Sequence, residues 1–305
     1  MVPMVLPSDT AQFTRRALIL ALSSLAMPAR SEPLTVNYPS NSFVHDPQLE
    51  YVTDLLRLAL RYSGKNFQVK PQPVEMAQQR TFMEIARGET SLDLMWTMTN
   101  PQRETSAMIP VRIPVDRGLL GWRLLLIRQA DADRWRHVAS IADMQSLVLG
   151  QGHDWPDTEI LRANGLRVGT SSDYNSLFRM LLRGRIDGFP RSILEIGAEL
   201  KAHADDGLMV APDLLLYYPA PSYFFVSPKR PELAEQIRQG LESSIADGSM
   251  QKLFKRYFGH LWAEFQLDER RVLRLKNPDL SPLTPLQRPE LWLQPNESGA
   301  RKGVS

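Results

Sequence analysis

Residues 92–104, Leu92-Asp93-Leu94-Met95-Trp96-Thr97-Met98-Thr99-Asn100-Pro101-Gln102-Arg103-Glu104, begin as an apolar strand and turn at Thr97 into a polar loop interrupted by proline. Working back from this stretch, Phe67–Lys70 reads as an earlier strand. Leu34–Tyr38 reads as another, alternating in polarity and stopped by Pro39-Ser40. Between them Tyr51–Tyr62 carries apolar residues at 51, 52, 55, 56, 58, 59, 60 and 62, the broad stripe of a buried helix, closed by Ser63-Gly64. Arg80–Arg87 is a shorter helix ended by Gly88. The β-α-β-α-β order predicts a mostly parallel sheet covered by helices.

Downstream, Leu119–Ile127 (LLGWRLLLI) is a strongly apolar run with Gly121 inside it. A second alternating block follows. Its strands are Leu147–Leu149, Arg167–Gly169 and Ile186–Phe189, and its helices are Pro156–Ala163, Ser172–Arg183 and Ile193–Ala202. Leu214–Tyr218 and Tyr223–Val226 are late strands, and Glu232–Ala246 and Met250–Phe258 are helices split by Asp247-Gly248. Two α/β blocks joined by apolar segments near 119–127 and 217–226 predict an α/β, two-lobed fold. The second lobe is inserted in the first, and the two crossing strands form a hinge beside a cleft. The expected divisions are a signal peptide over 1–31, a first lobe over 32–119 and 221–265, a second lobe over 120–220, and a tail over 266–305. That tail is rich in Pro, Arg and Leu and is expected to lie over the body, with its last ten residues disordered.

The totals exclude several classes. The chain has 305 residues, 43% of them hydrophobic, 23% charged and none of them cysteine, which removes disulfides, thiolate metal sites and a lipid-anchoring cysteine. Three of the 36 basic residues and one of the 34 acidic ones fall within residues 1–31, so the remainder carries 33 of each. A near-neutral body has no bulk field to attract nucleic acid. Arg15-Arg16, the apolar run Ala17–Ala26, and Ala29 and Ser31 at −3 and −1 of a cut before Glu32 read as a secretory leader, and the run is too short to span a bilayer.

The stretch Thr97–Glu104 with Ile109-Pro110 resembles the first-lobe binding segment of periplasmic solute-binding proteins of the amino-acid type, family 3 of the ABC importers. Gly184-Arg185-Ile186-Asp187-Gly188 in the second block fits the same class. So do Glu232-Leu233-Ala234, Gly240-Leu241, Ala246-Asp247-Gly248 and Leu253–Tyr257 as its returning helices. Gly150-Gln151-Gly152, Trp155–Thr158, Phe189-Pro190-Arg191, Arg270-Arg271-Val272, Asn277-Pro278 and Trp292 extend the resemblance to an uncharacterised branch of that class. The resemblance implies a type II periplasmic-binding-protein fold, a small-molecule ligand and a periplasmic location. It also implies a monomer that meets the permease of an ABC importer or, alternatively, a membrane sensor. No cofactor and no metal are expected.

The resemblance also supplies candidate ligand-binding residues. Arg103 matches the arginine that grips a ligand carboxylate as a planar fork, with the hydroxyls of Thr97 and Thr99 beside it; the plainer alternative is a surface ion pair with Glu104. Gly150, Gln151 and Gly152 would bring backbone N–H groups close to a ligand at the start of a helix capped by Asp157, and Trp155 would cover the ligand or plug the loop. Arg191 stands where relatives place an acid for the ligand's ammonium group. An arginine in the cleft favours a second anionic group, hence a dicarboxylate-like rather than a plain zwitterionic ligand; the alternative is a pair with Glu195. Tyr38, Trp96 and Trp122 are placed to line the cleft or hinge, and Arg80 and Arg112 to add charge.

Catalysis is not expected. The histidines at 45, 137, 153, 203 and 260 have no metal-ligand spacing, and there is no nucleophile elbow, phosphate loop or dinucleotide fingerprint. An enzyme on the same fold, of lyase or dehydratase type, would have to use Glu104, Asp154 or Asp157.

Overall fold

The computed structural model describes residues 33–40 and 48–294, together with Met1 and Pro3. The leader read from Arg15 to Ser31, His45 and the last ten residues lie outside the described residues. From Leu34 the chain runs through β1 (Leu34–Ser40), α1 (Leu49–Arg61), β2 (Phe67–Pro73), α2 (Gln78–Arg87), β3 (Leu94–Met98), α3 (Pro101–Glu104) and β4 (Ile109–Val111). It then enters β5 (Trp122–Arg128), α4 (Ala132–Arg136), β6 (Val148–Gly152), α5 (Pro156–Ala163), β7 (Arg167–Ser171) and α6 (Tyr174–Leu182). This block continues with β8 (Phe189–Ser192), α7 (Ile196–Ala202), β9 (Leu208–Val210) and β10 (Leu214–Tyr217). The chain returns through β11 (Ser222–Val226), α8 (Pro231–Ala246) and α9 (Ser249–Phe258), and adds α10 (Leu261–Glu264) and β12 (Arg271–Arg274).

These elements make two lobes. In the first, β1 and β2 pair in parallel with Leu34 opposite Phe67, and β3, β11 and β4 form an antiparallel sheet in that order. The stripe on α1 is buried as its spacing requires, with Tyr51, Val52, Leu55, Leu56 and Ala59 inaccessible to solvent. In the second lobe the sheet order is β12-β10-β5-β8, with β9 also on β5, and β6 and β7 form a parallel pair beside it. The expectation of mostly parallel sheets holds for the β1–β2 and β6–β7 pairs and for β10 with β12. β11, returning from the second lobe, runs antiparallel to both β3 and β4, and β5 runs antiparallel to β8, β9 and β10.

The structure moves some boundaries. The run 119–127 splits into a 3-10 turn, Leu119–Gly121, and then β5. The third strand of the second block lies at Phe189–Ser192 rather than 186–189, because Pro190 is tolerated on this outer strand, where it sits opposite Leu125. The segment after Gln266, read as a tail, contributes β12, which pairs in parallel with β10 from Leu214↔Arg271 onward. Without it β10 would be an exposed sheet edge with unpaired backbone groups.

The passage between lobes is tight. Tyr218 donates its backbone N–H to the carbonyl of Gly121 at 3.2 Å, and a Cβ on Gly121 would lie 1.9 Å from the carbonyl oxygen of Tyr218. Only glycine allows the two connecting segments to touch here. Just before it, the carboxylate of Asp116 accepts the backbone N–H groups of Gly118 (3.0 Å) and Leu120 (2.8 Å), fixing the approach turn.

Asp116 is fully buried, and burial pushes its carboxyl up from 3.8 to about 6, against the lowering effect of its backbone hydrogen bonds and Arg123. A folded-state value above the unfolded one makes the folded form hold the proton longer as pH rises. Stability contributed by this group is therefore present below about pH 4 and is lost as pH rises to about 6, by up to about 3 kcal/mol. Urea unfolding of the wild type and Asp116→Asn across this window should show the wild type losing stability relative to the variant as pH rises; parallel pH profiles would contradict the assignment.

Candidate functional site

A cavity of about 280 Å³ opens between the lobes. The first lobe lines it with Gln78, Trp96, Thr97, Met98 and Arg103, and the second with Arg123, Trp155, Pro156, Asp157, Arg191 and Glu195. Leu120 and Ser222, from the two connecting segments, complete the wall with Gln48.

Arg103 is set by local structure. Asn100 caps α3, its side chain accepting the Arg103 N–H at 2.8 Å, with Pro101 as the first helical residue. The helix thereby turns the guanidinium back under the end of β3, where it donates to Thr97 Oγ1 (2.7 Å), the Met98 carbonyl and Gln78 Oε1 (3.0 Å), and lies 5.8 Å from the centre of the Phe82 ring. All three acceptors are neutral, and among the described residues the Nε–H has no acceptor. Among the described residues no carboxylate comes within ion-pair distance of Arg103, although it is 5% exposed. Burial lowers its pKa to about 10, with Asp154 offsetting part of the effect. Glu104, the alternative partner, is occupied elsewhere: it accepts from Thr99 Oγ1 at 2.9 Å and from Arg112 at 3.0 Å.

Arg191 has the opposite environment. Its guanidinium contacts Glu199 at 2.7–3.0 Å and Glu195 at 3.1 Å, and lies over Trp155 (5.0 Å), Phe189 (4.9 Å) and Tyr174 (5.7 Å). Burial alone would lower its pKa, but Glu195 and Glu199 override this and hold it above its ordinary value. The sequence expectation of a free second cation in the cleft is therefore corrected: Arg191 lines the cavity with its charge already neutralised.

A third arginine escaped the sequence reading. Arg123 stands near the start of β5, fully enclosed, with Asp157 at 2.6 Å and Glu195 at 3.7 Å. Asp157 also accepts the hydroxyl of Tyr218, so the second connecting segment joins the network. Asp157 was expected to cap α5, but Trp155 is the capping residue and makes no side-chain cap bond. The available signal was an arginine inside LLGWRLLLI, since a charge within a buried strand requires a partner. The pair of Arg191 with Glu195, the alternative read from the sequence, is present at 3.1 Å, whereas Gln78, at the start of α2, carried no comparable signal.

Of the residues singled out from the sequence, Trp96, Thr97, Arg103, Trp155 and Arg191 surround this cavity. Tyr38 lies behind Trp96, with ring centres 5.5 Å apart, and Thr99 turns to Glu104. Gly150, Gln151 and Gly152 do not line it. A Cβ at Gly150 would lie 2.3 Å from Ile186, and one at Gly152 2.5 Å from the Trp155 ring, so both glycines serve packing inside the lobe. Gln151 is buried and donates to the Pro190 carbonyl at 3.3 Å. Trp122 packs on Trp262 at 5.7 Å within the core, and Arg80 is exposed beside Glu84. His153 and Asp154, 3.7 Å apart, are both more than half exposed.

The Arg191 cluster has a consequence for stability. Glu199→Gln removes the nearer of the two counter-charges and weakens the acceptor for the Tyr174 hydroxyl, 2.6 Å away. Glu195 remains, so the expected loss is roughly 3 kcal/mol, the lower end for breaking a buried ion pair. It is read from the denaturant midpoint, and an unchanged midpoint would refute the pairing.

No family model matches the sequence, and no curated protein is similar to it at the level of sequence. Solved structures are similar in fold. An ancestral arginine-binding protein bound to arginine superposes with a TM-score of 0.52 at 16% identity, covering 74% of this chain and 98% of that one. The VFT2 domain of BvgS from Bordetella pertussis, as a double mutant, gives 0.54 at 16% identity over 73% and 93%. An ancestral amino-acid-binding protein, a precursor of cyclohexadienyl dehydratase, gives 0.51 at 15% identity over 73% and 95%. The chain thus has the two-lobed α/β fold of these binding domains.

Proposed function

We propose that this protein is a periplasmic solute-binding protein that takes a small molecule with one carboxylate group into the cavity between its lobes and presents it to the permease of an ABC importer. The observation that carries the reading is Arg103: a buried guanidinium at the cavity wall whose partners among the described residues are all neutral. A buried cation without a counter-ion is costly, and a ligand carboxylate in the adjacent cavity supplies one through short, charge-assisted hydrogen bonds. Trp96 and Trp155, one from each lobe, line the cavity and supply apolar surface for the body of the ligand.

The neutralisation of Arg191 removes the argument for a second anionic group. Glu195 lines the same cavity and is about a quarter exposed, so a ligand ammonium finds a carboxylate on the second-lobe wall while its own carboxylate meets Arg103 on the first. This favours an amino-acid-like ligand over a dicarboxylate. Glu104 and Asp157 are each held by an arginine, and Asp154 is exposed, so none of the three is proposed as a catalytic acid.

Mass spectrometry of the purified protein should find a co-purified monocarboxylate. Calorimetry against L-amino acids, simple monocarboxylates and dicarboxylates should favour the first class. Arg103→Ala should weaken binding by about 10- to 100-fold, the equivalent of a charged hydrogen-bonding partner. Undiminished binding by that variant, or affinity confined to dicarboxylates, would sink the reading.

A further inference from the structure

The segment after α9 crosses between the lobes twice more. The first passage brings α10 against the second lobe. Trp262 packs on Trp122, and Phe265 passes its carbonyl to Arg270 Nε, whose guanidinium also donates to the carbonyls of Ala211 (2.8 Å) and Leu214 (3.0 Å). β12 then adds to the second-lobe sheet, and its exit is tied there by Leu275 N–H to the Tyr217 carbonyl (2.8 Å) and by Asn164, which bonds both backbone groups of Lys276 (2.7 and 2.9 Å).

The second passage leads back. Asn277 donates to the Pro219 carbonyl at 2.8 Å, directly on the second connecting segment. Beyond an exposed stretch around Leu283, the chain docks on the first lobe. Arg288 forms a two-pronged pair with Glu242 of α8 (2.6 and 2.8 Å), and Leu293 N–H bonds the Arg117 carbonyl (2.9 Å). Trp292, 4% exposed, lies on Gly118, where a Cβ would come 2.6 Å from its ring. Gly118 has φ of 76° and stands one residue before the first connecting segment. The returning segment therefore grips the second-lobe sheet at one end and the first lobe at the other, beside both connections. About a quarter of this chain lies outside the match to the arginine-binding protein, although that protein is covered almost completely.

We infer that residues 275–293 form a covalent strap that limits how far the lobes separate, with Trp292 and Arg288 as its first-lobe anchors. Two connecting segments alone permit hinge motion. The passage from α9 to β12 is a third connection, and a fourth tether fixed on both lobes beside the hinge removes the widest-open arrangements that remain; a restricted free ensemble raises the fraction able to bind. The inference concerns the ligand-free protein and stands independently of what the cavity binds.

The chain has no cysteine, so spin labels can be placed at Gln79→Cys on α2 and Glu159→Cys on α5, both exposed and on opposite lobes. A protease site inserted between Ser281 and Pro282 allows the strap to be cut after folding. Pulsed dipolar spectroscopy of the ligand-free protein should give a narrow distance distribution when uncut and a broader one, shifted to longer distances, after cutting. Arg288→Ala and Trp292→Ala should broaden it without cutting. A distribution that is the same before and after complete cleavage, with the fold intact by circular dichroism, would overturn the inference. If Trp292→Ala fails to fold, the cut protein and Arg288→Ala still decide it.

Discussion

The backbone contact between Gly121 and Tyr218 is the point on which the arrangement of both lobes depends. The two connecting segments touch without an intervening side chain, at a distance that any Cβ on Gly121 would prevent. From this contact the chain diverges into the groups that shape the cavity. Arg123 follows two residues after Gly121, and the hydroxyl of Tyr218 joins Arg123 at Asp157. Leu120 and Ser222, on either side of the contact, are part of the cavity wall. Asp116 orders the turn that leads in, and Val115 donates its N–H to the Ser222 carbonyl at 2.9 Å, linking the two segments on the first-lobe side. Hinge, buried ion pair and cavity floor are thus one structure, so a change at any of them acts on the others.

Much of the fold was legible because its signals are local. The α1 stripe, the Gly88 stop of α2 and the alternation of short strands and helices each follow from spacing along the chain. What escaped depends on partners far away in sequence. β12 is four residues long with an arginine at each end, and nothing in Arg-Val-Leu-Arg announces a strand. It becomes one because β10 presents an unpaired edge. At the site, Arg103 was singled out by resemblance to a family's first-lobe arginine, and the Asn100 cap that places it is a feature of the structure. Gly150 and Gly152 were misleading for an instructive reason. A glycine records that something approaches closely, but not whether it is a ligand or, as here, Ile186 and Trp155.

Three arginines at one cavity show why residue type alone does not give function. At an effective dielectric near 20, a carboxylate about 4 Å from a guanidinium contributes about 4 kcal/mol, enough to offset much of the cost of burial. Arg123 has such a partner in Asp157, and Arg191 has two in Glu195 and Glu199; both have pKa values held above the ordinary one. Among the described residues Arg103 has a hydroxyl, a carbonyl and an amide as acceptors and no carboxylate, and burial lowers its pKa. The difference in sign among three equally enclosed guanidinium groups comes from counter-charge and not from burial. Two of them complete the protein's own architecture. The third has no carboxylate at ion-pair distance among the described residues, and it is this difference that the proposed ligand carboxylate would answer.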